Sequence, residues 1–385
     1  MNILDYIDWR GDLAFEQDGF NEVDNLIFSE LAYLDMRGIV PEDGSKSLTI
    51  DQVYEEYKAA GIDQSQMMND PLPVLEKAAR SARFKDITVK WFVDKIDTEQ
   101  HLQFAAVTFI ISDKLAYIAF RGTDNTIVGW REDFNISFLS ETPGQTEAVA
   151  YVNRIAGLTE GDLIVGGHSK GGNFAVYACA FCDKEISEKR VIKIYTNDGP
   201  GFMNEVAESE NYLSILPKTI KISPNSSPVG LFFLSKAERK VIKSDSKGFM
   251  QHNPYKWHVL GAEFESADAQ TDPFINKAIS SWLNTMTDSN KKILVDYIFD
   301  SLEASGVTSF NELADNKWNS LNSVFKALTK IDPNDKTDIA SSIKKLIASG
   351  KDVVISEKQK NAEIKKAEKN KADNEKLKSV KVTVK

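Results

Sequence analysis

The chain has 385 residues, 42% hydrophobic and 27% charged, the length and balance of a soluble globular protein with room for one large domain and appendages. Its formal net charge is −10 and no aromatic-laced basic stripe occurs in the body of the chain, which excludes nucleic acid as an expected partner. Residues 1–20 alternate apolar and acidic side chains, and no stretch approaches the roughly 20 apolar residues of a membrane span. The sequence therefore reads as cytoplasmic, with no transmembrane segment.

Residues 1–84 read as a helical segment packed on the core. "NEVDNLIFSELAYLDMRG" spaces Val23, Leu26, Ile27, Leu31 and Leu34 along one helix face and stops at Gly38. "TIDQVYEEYKAAG" repeats the pattern, with Thr49 or Asp51 able to cap and Gly61 to end it. A Pro-containing bend then introduces a third helix, "NDPLPVLEKAARSARF".

From residue 85 to 271 the period changes. "DITVKWFVDKID", "QFAAVTFIIS" and "LAYIAFRG" are β-branched and aromatic runs, read as an antiparallel meander. Next come a helix, "QTEAVAYVNRIAG"; a short apolar strand, "DLIVGG"; a helix, "GGNFAVYACAFCDK"; and the strands "RVIKIYTND" and "TIKIS". Strands alternating with helices predict an α/β domain, a mostly parallel sheet with helices on both faces. Residues 272–350 read as successive amphipathic helices. Residues 351–385 hold 11 Lys against 6 Asp and Glu, the composition of a flexible tail with a second use as a peripheral contact for an anionic membrane.

Cys179 and Cys182 form a C-x-x-C pair, but they fall about three turns into an apolar helix instead of at its N-terminus, so they read as inert core thiols. No further His or Cys at suitable spacing completes a metal site, and no cofactor is called for.

The chemistry concentrates in "LIVGGHSKGGNFAVYACAF", residues 163–181. A Walker A loop puts Lys directly before the hydroxyl residue, whereas here Ser169 precedes Lys170, and no G-x-G-x-x-G is present. Gly167-His168-Ser169-Lys170-Gly171 is instead G-x-S-x-G between an apolar strand and an apolar helix, the context of a strained turn that exposes a nucleophilic serine. Gly167 and Gly171 would relieve collisions across that turn, and the helix N-terminus faces a developing oxyanion.

A base and an acid must then follow in chain order. Of four histidines, His101 lies upstream and His168 is pinned in the turn, which leaves His252 and His258. His252, before Asn-Pro, reads as the loop imidazole that reaches the sheet edge, and His258, beside Trp257, as a packed residue. Asp198, closing "RVIKIYTND", is the candidate acid; its bland alternative is an Asx turn. Thr123 in "AFRGTDN" and the Lys170 N–H are the expected oxyanion donors.

These segments resemble the class 3 lipases: "AFRGT", then "GWREDF", then "GHSKGGNFA". They are closer to a group of largely uncharacterised bacterial lipase-like α/β-hydrolases, in which Lys after the serine, "DGPGF", "QH-x-P" and an N-terminal "NILDYIDWRGDLAF"-like segment go together. That resemblance spans residue 2 to about 260. It implies an α/β-hydrolase fold with helical extensions, Ser169 as nucleophile, His252 as base and Thr123 at the oxyanion site. In class 3 lipases the acid follows a later strand; here "SPNSSPVG" puts Ser226 and Ser227 there, so either Asp198 serves or the triad is weakened. The expectation is a serine hydrolase of carboxylic esters acting on a small or lipid-like acyl substrate. Lys170 would add a cation beside the serine and so favour an anionic group. The alternative is a non-catalytic hydrolase-fold module that binds a protein or a membrane surface.

Overall fold

The computed structural model describes residues 1–62, 70–124, 126–136, 139–225, 227, 229–268 and scattered positions between 289 and 300. The chain divides into two units, Met1–Pro273 with Asp288–Ile331, and Phe274–Thr287 with Asp332–Lys385. Every element below belongs to the first. The expected tail and most of the expected C-terminal helices lie outside the described residues; the positions described between 289 and 300 are helical.

The N-terminal segment contains α1 (Ile3–Arg10), α2 (Glu22–Leu31), β1 (Leu48–Thr49), α3 (Ile50–Ala60) and α4 (Leu72–Arg80). Asn2 and Asn21 begin α1 and α2 with capping boxes, accepting backbone N–H groups while Asp5 and Asp24 reach back. Gly61 ends α3 in the left-handed conformation, φ +59°, as the sequence suggested. The helix expected to run to Gly38 stops at Leu31. Leu34 is still buried, but from a turn and not from a helix face.

The central sheet contains β2 (Thr88–Asp97), β3 (Leu102–Ser112), β4 (Leu115–Phe120), β5 (Asp162–His168), β6 (Val191–Asn197), β7 (Thr219–Pro224) and β8 (Arg239–Ile242). Its spatial order is β1-β2-β3-β4-β5-β6-β7-β8. Pairings up to β3–β4 are antiparallel, and those from β4–β5 to β7–β8 are parallel. Between the strands lie α5 (Ile127–Asn135), α6 (Pro143–Leu158), α7 (Lys170–Phe181), α8 (Lys184–Lys189), α9 (Asn204–Ala207) and α10 (Glu210–Ile215). A small hairpin, β9 (Val259–Leu260) with β10 (Glu263–Phe264), follows.

Alternation along the strands builds two cores. Val107, Phe109, Tyr117, Ala119, Ile164 and Tyr195 meet the N-terminal helices, while Phe104, Ala106, Ile118, Phe120, Val165 and Ile194 meet α6, α7 and α10. Helices thus cover both faces of a mostly parallel sheet whose serine-bearing turn joins a central strand to a buried helix. This is an α/β-hydrolase fold. Cys179 and Cys182 sit free and buried in α7, and burial holds the Cys179 thiol up and pushes Cys182 up to about 11.

Candidate active site

Strand β5 is buried from Leu163 to His168, and its apolar side chains fix its end beneath α7. The chain then reverses so sharply that Ser169 takes φ +58° and ψ −131°, a region a β-carbon disfavours. The flanking glycines leave room for this: a Cβ on Gly167 would lie 2.4 Å from the Gly171 carbonyl, and one on Gly171 would lie 2.1 Å from the Phe120 oxygen. Ser169 donates its N–H to the Asn197 carbonyl at 2.9 Å, tying the turn to the end of β6.

Asp198 follows directly, with φ +51° and its N–H donated to Ile222 O on β7 at 2.7 Å. Its carboxylate is fully buried, and His252, in the 3-10 turn Gly248–His252, places Nδ1 2.7 Å from Asp198 Oδ2. A carboxylate only accepts, so Nδ1 carries the proton and Nε2 is free to accept. Nε2 stands 2.9 Å from Ser169 Oγ. Ser227 donates its hydroxyl to the same Asp198 Oδ2, while Asp198 Oδ1 has no hydrogen bond. The structure therefore brings Ser169, His252 and Asp198 into one chain of contacts, with Ser227 behind the carboxylate. Ser226 lies outside the described residues.

His168 lies behind His252. The rings stack with centroids 4.6 Å apart, and His168 Nε2 donates to the His252 carbonyl at 2.9 Å. The Tyr33 hydroxyl stands 3.3 Å from His168 Nδ1, and Glu30 Oε1 stands 3.5 Å from it with no hydrogen bond of its own. Burial, followed by the neighbouring His252, lowers the His168 pKa, and burial raises Glu30 to about 8. At neutral pH both groups are uncharged.

Thr123, after β4, donates Oγ1–H to Asp133 Oδ2 at 2.5 Å. Burial lifts the Asp133 carboxyl to about 6, opposed by the charge of Lys170 and the Thr123 hydrogen bond. Among the described residues neither the Thr123 nor the Lys170 backbone N–H has an acceptor.

Two expectations need correction. The Lys170 ammonium does not face the site: it is fully buried, 3.0 Å from Glu132 Oε2 and 2.6 Å from Gln103 Oε1, so it offers no charge to an anionic substrate. His258 is not a packed residue. Its ring bridges Asp245 at 2.6 Å and Glu265 at 3.2 Å on the flank of β9, and Trp257 fills the core in its place. His101 stands at the start of β3, its Nδ1 buried without a partner. Glu30, Tyr33, Glu132 and Asp133 escaped sequence reasoning; for Asp133 the one signal was its place in "GWREDF", ten residues after Thr123.

Among the described residues no group of three or more His, Cys, Asp or Glu side chains could hold a metal ion, and no helix is long and apolar enough to cross a membrane.

A family model described as Mbeg1-like matches residues 78–300. No curated protein matches the chain. Among solved structures, it is similar to a deletion mutant of the Rhizomucor miehei lipase propeptide complex, at 14% identity over 64% of this chain and 80% of that one, with a TM-score of 0.37. It is also similar to the native form of that complex, at 14% identity, 64% and 82% coverage, and a TM-score of 0.36. M37 lipase gives 13% identity, 64% and 83% coverage, and a TM-score of 0.34.

Proposed function

The chain belongs to the Mbeg1-like family, and we propose that it is a lipase-like serine hydrolase that cleaves carboxylic esters through an acyl-enzyme. The observation that carries this reading is the continuous hydrogen-bonded line Asp198 Oδ2–His252 Nδ1 and His252 Nε2–Ser169 Oγ, at 2.7 and 2.9 Å.

His252 Nε2 takes the proton as Ser169 Oγ attacks the acyl carbon. The carbonyl oxygen becomes an oxyanion that accepts the backbone N–H groups of Lys170 and Thr123, at the N-terminus of α7. Asp198 stabilises the imidazolium through Nδ1–H. As the tetrahedral intermediate collapses, the Nε2 proton passes to the departing alkoxide. Water then gives its proton to Nε2, attacks the acyl carbon and releases the acid, and Ser169 regains its hydrogen. The serine and the imidazole are both partly exposed, which gives an ester access to them.

A fluorophosphonate probe tests the reading. The folded wild type should be labelled at neutral pH and Ser169→Ala should not. Asp198→Asn should lower kcat on an aryl ester by several orders of magnitude. A folded protein that neither takes the probe nor hydrolyses any ester would instead favour a non-catalytic binding module.

A further inference from the structure

The residue after the serine contributes a backbone N–H to the proposed oxyanion site, and that role asks nothing of its side chain. Yet the Lys170 side chain is fully buried, and its ammonium donates to Gln103 Oε1 at 2.6 Å, Glu132 Oε2 at 3.0 Å and the Gln103 carbonyl at 3.2 Å. Three donors meet three acceptors. Glu132, equally buried, also accepts the Gln103 N–H at 3.1 Å and, through Oε1, the Gly144 N–H at 2.8 Å in the first turn of α6. One carboxylate thus ties α5 to β3, α6 and α7.

The next residue along α5, Asp133, is the one that holds Thr123 Oγ1. The near end of this stretch is closed as well. Asp124 Oδ1 accepts both the N–H and the hydroxyl of Thr126, whose own oxygen caps α5 at the Gly129 N–H. A buried ion pair adds little stability over apolar side chains of similar volume, which leaves the fixing of direction as the role to test for this one.

We infer that the Lys170 side chain is a positioning residue for the oxyanion site: through Glu132 it sets α5, so that Asp133 holds Thr123 opposite the Lys170 N–H. One residue then serves both halves of the site, through its backbone on one side and its ammonium on the other. The inference rests on the serine-hydrolase reading.

Two variants of the full chain test it. Asp133→Ala removes the anchor of Thr123 without touching the buried pair, and should lower kcat on an aryl ester about tenfold or more at unchanged KM. K170M combined with E132Q removes both charges together, because deleting Lys170 alone would leave a lone buried carboxylate. This double variant should show the same loss in kcat. It should also weaken binding of an alkylboronic acid, which forms a tetrahedral adduct on the serine, by a similar factor. Adding Asp133→Ala to it should cost little more, since both changes release the same threonine. Asp133→Ala with kcat within about twofold of wild type overturns the inference, and so does full additivity of the two changes. If the double variant does not fold, Glu132→Gln, which removes the charge but keeps an acceptor for the ammonium, takes its place in the same comparisons. Wild-type protein that reacts at Ser169 while the variants keep full kcat sinks this inference only. Wild-type protein that never reacts removes the hydrolase reading and this inference with it.

Discussion

Asp198 is held by what is missing beside it as much as by what is present. Its Oδ1 points at Gly230, where a Cβ would lie 2.2 Å away, so any side chain there pushes the carboxylate off His252. Gly230→Ala should therefore cost about tenfold or more in kcat while circular dichroism stays unchanged. Ser227→Ala removes one of two donors to Oδ2 and leaves a buried carboxylate less satisfied, a loss of about 1.5–3 kcal/mol for a charge-assisted bond. Its effect should appear in both kcat and thermal stability. Glu30 gives a prediction with a definite sign. Its folded carboxyl titrates near 8 against an ordinary 4.5, so between those values the folded chain holds a proton that the unfolded chain has lost. Wild-type stability then falls as pH rises through this window, by at most about 1.4 kcal/mol per pH unit. Glu30→Gln carries no such proton. Its Tm should equal that of wild type below pH 4, exceed it increasingly up to about pH 8, and keep a constant lead above that. A lead that does not vary with pH would mean that Glu30 is not held neutral by burial.

The elements behind the site come largely from α2. Asn25 and Asn197 exchange amide hydrogen bonds at 2.9 and 3.1 Å, and Asn197 Nδ2 also reaches Ser29 Oγ and the Gly167 carbonyl. One helix of the N-terminal segment thereby fixes the residue before Asp198 and the strand end before Ser169. Asn25→Leu keeps the volume but strands Asn197 Oδ1, whose donor is Asn25 Nδ2, while Asn197 Nδ2 keeps Ser29 Oγ and the Gly167 carbonyl. We expect about 1–3 kcal/mol of lost stability, seen as a Tm lower by about 2–5 °C, together with a reduced kcat. The same elements explain what the sequence could and could not reveal. Helices α2 and α3, the meander and the strands β5 to β7 carry clear periods and caps, so they were legible. Helix α5, "IVGWREDFN", was not, since Gly129 interrupts it and, beyond the local cap from Thr126, its order comes from bonds made to Glu132 by Gln103 and Gly144 of distant elements. Strand β8, "RKVI", is a four-residue edge with three partly exposed positions and no alternation to read. In the site, Ser169, His252 and Asp198 were named from motif and chain order. Glu30 and Glu132 were invisible because a buried carboxylate differs from a surface one only through its tertiary partners.

At the scale of the molecule, strand order follows chain order, so Thr123, Ser169, Asp198 and Ser227 leave four successive strands at one edge of the parallel sheet, and His252 arrives after β8. That geometry needs the sheet held from both faces. The Mbeg1-like match begins at residue 78, yet the face carrying Phe109, Tyr117 and Tyr195 is covered by Phe20, Phe28 and their neighbours from before that point. The Phe28 ring lies tilted 4.8 Å from Phe109 and stacks 5.3 Å from Tyr117. A chain beginning at residue 78 would expose these rings, each worth roughly 1.5–3 kcal/mol when buried, and would lose Asn25, Glu30 and Tyr33 from behind the site. Against a net stability of about 5–15 kcal/mol, the loss of several such rings is decisive. The truncated chain should therefore lose the cooperative thermal transition of the full chain and bind a hydrophobic dye. It should also fail to react with a fluorophosphonate under conditions where the full chain is labelled at Ser169. A truncated chain that melts cooperatively and still labels would show that the sheet and its serine turn stand without the N-terminal helices, and would move the origin of the site's rigidity to α6 and α7.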